Sequence, residues 1–127
     1  MTEQPSRISD AESTLMQVLW DRGEATADEV FRAVAEQSGW QEATVKTLLN
    51  RLLRKRAIAA DREGRRYRYR PILQRSDYLA EQSRSLVDRL FGGRVAPLVA
   101  HFNEHRALSR SDLEELRQLI RELDDEQ

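Results

Sequence analysis

Cysteine is missing from this 127-residue chain, which excludes disulfides, thiolate nucleophiles and Cys-based metal sites. Histidine is nearly missing: the two present, His101 and His105, lie four apart. On a helix they share a face, but no other His or Cys completes a ligand set, so no metal and no cofactor is expected. Long apolar runs are also lacking. Nothing approaches the 18 or more residues of a membrane span, and the N-terminus lacks a basic-then-apolar leader pattern. No membrane insertion is expected, and a cytoplasmic location follows as the default. A Gly-rich phosphate loop, a nucleophile–base arrangement and a paired-carboxylate site are all absent from the sequence pattern. The chain therefore reads as a non-enzyme.

Lysine is scarce too, with 2 against 19 arginines, a bias that fits a G+C-rich bacterial source. The net charge of −1 hides a strong segregation. Residues 1–40 carry a net −5, residues 41–75 a net +8, residues 76–102 balance, and residues 103–127 carry −4. Eight surplus positive charges within 35 residues form an anion-binding footprint, for which a polyanionic backbone is the commonest target.

The basic segment centres on Trp40 to Arg56. Val45, Leu48, Leu49, Leu52 and Leu53 recur at helical spacing and make one apolar stripe. Thr47, Asn50, Arg51 and Arg54 fall opposite it, with Thr44 and Lys46 flanking. Short hydrogen-bonding side chains in the first turns and cations in the last are what a helix needs to approach base edges and grip phosphates. A solvated amphipathic helix with a basic end would show the same stripe, so what precedes and follows it matters.

Two capping-box signatures precede it, Ser9 with Glu12 and Thr26 with Glu29. They open helices ending near Asp21 and near Ser38–Gly39. Trp40 is placed as an entry staple packing back on the core. After Arg56 the period becomes two. Ile58 to Arg62, a turn at Glu63-Gly64, and Arg65 to Pro71 read as a β-hairpin. Tyr67 and Tyr69 share one face of its second strand, and Arg66, Arg68 and Arg70 the other. Arg65, Arg66 and Arg68 join the candidate DNA contacts, although a charged edge strand that resists aggregation has the same composition.

The rest is helical. Leu79, Leu86, Val87 and Leu90 stripe a helix closed by Gly92-Gly93. A short one follows with Val95, Leu98, Val99 and Phe102. Ser111 and Glu114 suggest a further capping box, ahead of Leu113, Leu116, Ile120 and Leu123. Some 50 residues in three short amphipathic helices cannot enclose a core alone. A second copy of the chain is the simplest cover, with Leu86, Leu90, Leu113, Leu116, Ile120 and Leu123 as the seam. The expected fold class is mainly α with a small β-hairpin: a winged helix-turn-helix domain over 1–72, then a three-helix C-terminal dimerisation region over 73–127.

The order of elements resembles a known family. So do the run Trp40-x-x-x-Thr44-Val-x-Thr47-Leu-x-x-Arg51-Leu52 and the run Leu108-Ser109-x-x-x-Leu-Glu-Glu-Leu116. Together they are similar to the penicillinase repressors of the BlaI/MecI type, over Ile8 to about Leu123. The resemblance implies a homodimeric repressor that binds a dyad-symmetric double-stranded DNA operator. It also implies release when a membrane sensor metalloprotease triggers cleavage in the dimerisation region. The segment matching the family's cleaved site is Leu98-Val-Ala-His101-Phe102, where Phe102 agrees and His101 replaces an Asn. On the third helix Thr44 and Thr47 match, Lys46 keeps the usual charge, Ala43 stands for a Lys and Asn50 for a Thr. A reading from another class is a winged-helix adaptor that docks an acidic protein surface with its basic wing.

Overall fold

The computed structural model describes residues 7–126; the outermost ends of the two expected domains, 1–6 and 127, lie outside them. In order, the elements are α1 (Asp10–Arg22), β1 (Ala25–Thr26), α2 (Ala27–Ser38), α3 (Glu42–Arg54), β2 (Ile58–Glu63), β3 (Arg66–Pro71), α4 (Arg75–Phe91), α5 (Val95–Glu104) and α6 (Arg110–Glu126). They fall into two compact units, Met1–Leu79 and Ala80–Gln127. No described helix is long and apolar enough to cross a membrane.

In the first unit both expected capping boxes form. The Ser9 and Glu12 N–H and side-chain groups bond reciprocally, as do those of Thr26 and Glu29. Each box satisfies two backbone donors that a helix start otherwise leaves bare. Gly23 and Gly39 end these helices at positive φ. Leu15, Met16 and Leu19 of α1, Val30 of α2, and Val45, Leu49 and Leu52 of α3 meet in one core, each at most 1 % exposed. Burying such side chains contributes roughly 1.5–3 kcal/mol apiece, so the outward face of α3 is fixed by what its inward face fills. Trp40 packs against this core, half-buried.

α3 stops at Arg54, two residues before the end of the basic run. Arg56 takes a left-handed φ of 61°. Its N–H donates to the Leu53 carbonyl and the Ala57 N–H to that of Leu52, a Schellman closure with Arg where Gly is usual. The Ala57 carbonyl then accepts from the N–H groups of Ile72 and Leu73. That closes the base of the β2–β3 hairpin, whose register pairs Ile58 with Pro71 and Glu63 with Arg66. β1 adds a short third strand on the far side of β3, giving the order β1-β3-β2.

The start of α4 belongs to the first unit. The Trp20 indole N–H donates to the Leu73 carbonyl at 2.8 Å, and its ring lies 5.5 Å from that of Tyr78. The Arg75 guanidinium sits 5.6 Å from the indole centroid and bonds Asp21 and Gln17. Leu73, Arg75 and Tyr78 thus pack on α1.

In the second unit the remainder of α4 ends at Gly92 and Gly93, both at positive φ, and α5 closes through a second Schellman turn at Arg106. The capping box of α6 is built from Ser109 and Asp112. It was expected at Ser111 and Glu114, two residues later. Ser-x-x-Asp offers the same reciprocal bonds one half-turn earlier, and the helix takes the first start available. No residue of α4, α5 or α6 is fully buried.

Candidate nucleic-acid interface

α3 presents Thr44, Lys46, Thr47, Asn50, Arg51 and Arg54, all exposed, opposite buried Val45, Leu48, Leu49 and Leu52. What each outward group is bonded to separates the available from the engaged. The Thr47 hydroxyl donates to the Ala43 carbonyl at 3.0 Å, which leaves its oxygen as an outward acceptor. Among the described residues, the side chains of Thr44 and Asn50 have no partner within the chain. A free carboxamide can donate and accept at once, which is the inventory that reads an adenine edge. Lys46 leans on Glu42 at 3.8 Å, both well exposed, a pairing that costs little to break.

Lys55, at the end of the helix, is used differently. Its ammonium pairs with Glu12, which is 1 % exposed, and donates to the Arg7 carbonyl. Burial pushes the Glu12 carboxyl up, but bonds from Lys55 and from the Ser9 backbone and hydroxyl outweigh it, and the carboxyl titrates below its ordinary value. This pair ties the end of α3 to the start of α1. One carboxylate oxygen of Glu12 is buried without a partner among the described residues, so the contact holds the two helices at some cost in solvation.

The hairpin sorts its arginines by register. Asp61 lies opposite Arg68 and Glu63 opposite Arg66. Arg70 pairs with Asp61 at 2.8 Å. Arg68 bonds Glu63 and lies 3.8 Å from both Glu24 and Glu29. Pairing of Thr26 with Arg68 in the sheet brings that guanidinium to the start of α2, where Glu29 caps. The Glu29 carboxyl is held low, first by the Thr26 backbone and hydroxyl bonds and then by Arg68 and Arg22. Arg68 was expected to contact DNA with Arg65 and Arg66, yet the structure surrounds it with carboxylates. Arg65 and Arg66, at the turn, are exposed and form no ion pair among the described residues.

Among the described residues of 41–75, Arg51, Arg54, Arg65 and Arg66 are thus cations that form no ion pair. Arg62 joins this end of the hairpin; it was not singled out in the sequence. It pairs in register with Tyr67, itself 48 % exposed, and among the described residues its guanidinium is bonded only to the Gly64 carbonyl. The signal for it was the two-residue period, which places Arg62 on the tyrosine face while Asp61 and Glu63 neutralise the other.

Three helices closed by a β-hairpin, with a polar and cationic outward face on the third helix, define a winged helix-turn-helix protein. The match to the model of the penicillinase repressors covers residues 8–122, and the chain belongs to that family. It is 34 % identical over 116 residues to the penicillinase repressor of Bacillus licheniformis, covering 91 % of each chain. It is 28 % identical over 120 residues to the methicillin resistance regulatory protein MecI of Staphylococcus aureus, covering 94 % of this chain and 98 % of that one. Among solved structures, the monomeric form of Bacillus licheniformis BlaI in complex with the blaP half-operator is 37 % identical, with a TM-score of 0.53. That likeness covers 61 % of this chain and 94 % of the other.

Proposed function

We propose that this chain is a homodimeric, sequence-specific DNA-binding repressor that occupies a dyad-symmetric operator in the cytoplasm and performs no catalysis. The observation that carries this reading is the pairing state of the α3 face. Thr44 and Asn50 are exposed and have side chains unpartnered among the described residues, at the first-turn and mid-helix positions that enter a major groove. Arg51 and Arg54, without carboxylate partners among the described residues, stand behind them for phosphates. The turn arginines Arg65 and Arg66, with Arg62, supply a second backbone contact from the wing. Arg68, already matched by three carboxylates, holds the wing to α2 in this reading. The related BlaI is seen on a half-operator, and one half-site is what a single winged domain offers.

Dimerisation is supported by the second unit. Leu90, Val95, Leu119, Ile120 and Leu123 are each more than half exposed, while Leu86, Leu113 and Leu116 are half-covered. Helices that fully bury none of their residues by themselves need a partner surface, and an identical stripe related by a two-fold axis supplies it. Release would follow cutting at His101–Phe102 by the pathway of a membrane sensor metalloprotease, since the cut separates α6 from the rest of the seam. Phe102 is 42 % exposed and lies inside α5, so cleavage requires that helix to open locally.

Titration of labelled genomic DNA with the full chain at rising salt tests the reading. Saturable binding whose log affinity falls linearly with log salt supports it. Absence of binding at low salt, with capture of acidic proteins instead, would favour a wing that docks protein.

A further inference from the structure

α5 ends on two imidazoles. His101 lies in its last turn and His105 is its C-cap, and their ring centroids are 4.4 Å apart. The His105 N–H donates to the His101 carbonyl at 3.2 Å, so the two side chains bracket the last backbone bond of the helix. The chain then turns at Arg106, where the Ala107 N–H closes on the Phe102 carbonyl at 2.8 Å. The ring of His101 is flanked by Phe91 at 6.3 Å and by Phe102 at 6.1 Å. Both histidines are exposed.

A borderline cation bound at about 2.0–2.1 Å from one nitrogen of each ring needs those nitrogens about 3 Å apart. Rings with centroids at 4.4 Å reach that by small rotations, with the backbone turn already formed. No third His, Cys, Asp or Glu joins them among the described residues, so the site is two-coordinate from protein and the remaining positions fall to water. Two imidazoles with open positions suit tetragonal Cu(II) or Ni(II) better than a closed tetrahedral zinc site, and affinity should follow the order Cu over Ni and Zn.

We propose that His101 and His105 form a chelate for a divalent transition cation, copper foremost, that clamps the last turn of α5. The inference is independent of DNA binding. It makes opening of the helix around Phe102 depend on the cation, because a ligand that binds only the closed turn stabilises it by mass action.

The test uses the full chain in a non-coordinating buffer at neutral pH. Cu2+ is titrated by calorimetry, and electron paramagnetic resonance of the loaded protein reports nitrogen ligation. His101→Ala and His105→Ala, both at exposed positions, should each weaken Cu2+ by at least about tenfold, since losing a direct ligand costs more than losing an outer partner of one. Chymotrypsin cleavage after Phe102 should slow with Cu2+ in the parent and not in the double variant, which also controls for effects on the protease. Cu2+ binding unchanged in the double variant, or absent from the parent below about 1 mM, overturns the site. Binding with no change in cleavage overturns the clamp.

Discussion

Asn50 and Arg54 stand one helical turn apart on α3, both exposed and with side chains that have no partner among the described residues, yet their chemistry assigns them different work. Asn50→Ala should cost about 1–3 kcal/mol on the operator and little on random DNA, because a carboxamide reads a base edge. Arg54→Ala and Arg66→Ala should weaken both DNAs alike and each reduce the salt slope by roughly one unit. Arg68→Ala should leave the slope unchanged, since its charge is matched by Glu63, Glu24 and Glu29. Affinities at four salt concentrations on the two DNAs check all four variants; equal losses for Asn50→Ala on both would remove it from readout. Glu12 gives a residue-level prediction about pH. Its folded-state carboxyl titrates below the ordinary 4.5, so its contribution is complete above that value and is lost as pH falls through the folded value. Glu12→Gln, which gives up the charged bond to Lys55, should destabilise at neutral pH by about 1.5–3 kcal/mol. Urea midpoints from pH 7 to 3 should converge between parent and variant on the acid side. Parallel profiles would contradict the assignment.

Among the elements, those with a chemical reason in their own residues were legible. Ser9 with Glu12 and Thr26 with Glu29 announce α1 and α2, and Val45, Leu48, Leu49 and Leu52 orient α3 without reference to anything distant. The alternation of Tyr and Arg places the two faces of β3. What was illegible depends on long-range pairing or on an unusual residue. β1 is two residues long and exists because β3 passes beside Ala25 and Thr26. The α3 terminus was hidden because Arg56 occupies the left-handed position that Gly normally marks. Arg68 looked like its neighbours Arg65 and Arg66 until the register set carboxylates around it. The tie of α1 to Leu73 was illegible because nothing local predicts the bond from Trp20 to the Leu73 carbonyl. That bond gives an element-level prediction. Trp20→Phe keeps the ring against Tyr78 but removes the donor, so it should cost about 1 kcal/mol and loosen the first turn of α4. Faster hydrogen exchange at the amides of 75–79 checks it. Unchanged exchange there would mean the ring contact alone holds the turn.

At the scale of the whole molecule, two units divide the work: the first carries the α3 face, and the second carries apolar stripes it cannot bury. A chain truncated after Phe102 lacks α6 and its Leu113, Leu116, Ile120 and Leu123. It should sediment as a monomer at micromolar concentration, with the unit ending at Leu79 still folded on its own core. Operator affinity should collapse with it, as one half-site offers too few contacts. A tight dimer after truncation would place the seam elsewhere. Cutting the full chain at a protease site engineered between His101 and Phe102 should have the same consequence, and retained dimer with retained affinity would contradict release by cleavage. We propose that paired α3 faces read DNA across a two-fold axis. Affinity selection of genomic fragments with the full chain, followed by footprinting of those recovered, tests it most directly. The expected footprint holds two inverted copies of one short sequence, centred about 10–10.5 bp apart or a multiple of that, and it is lost with Asn50→Ala. Recovery of fragments with no common inverted repeat, at affinities equal to random DNA, would contradict it.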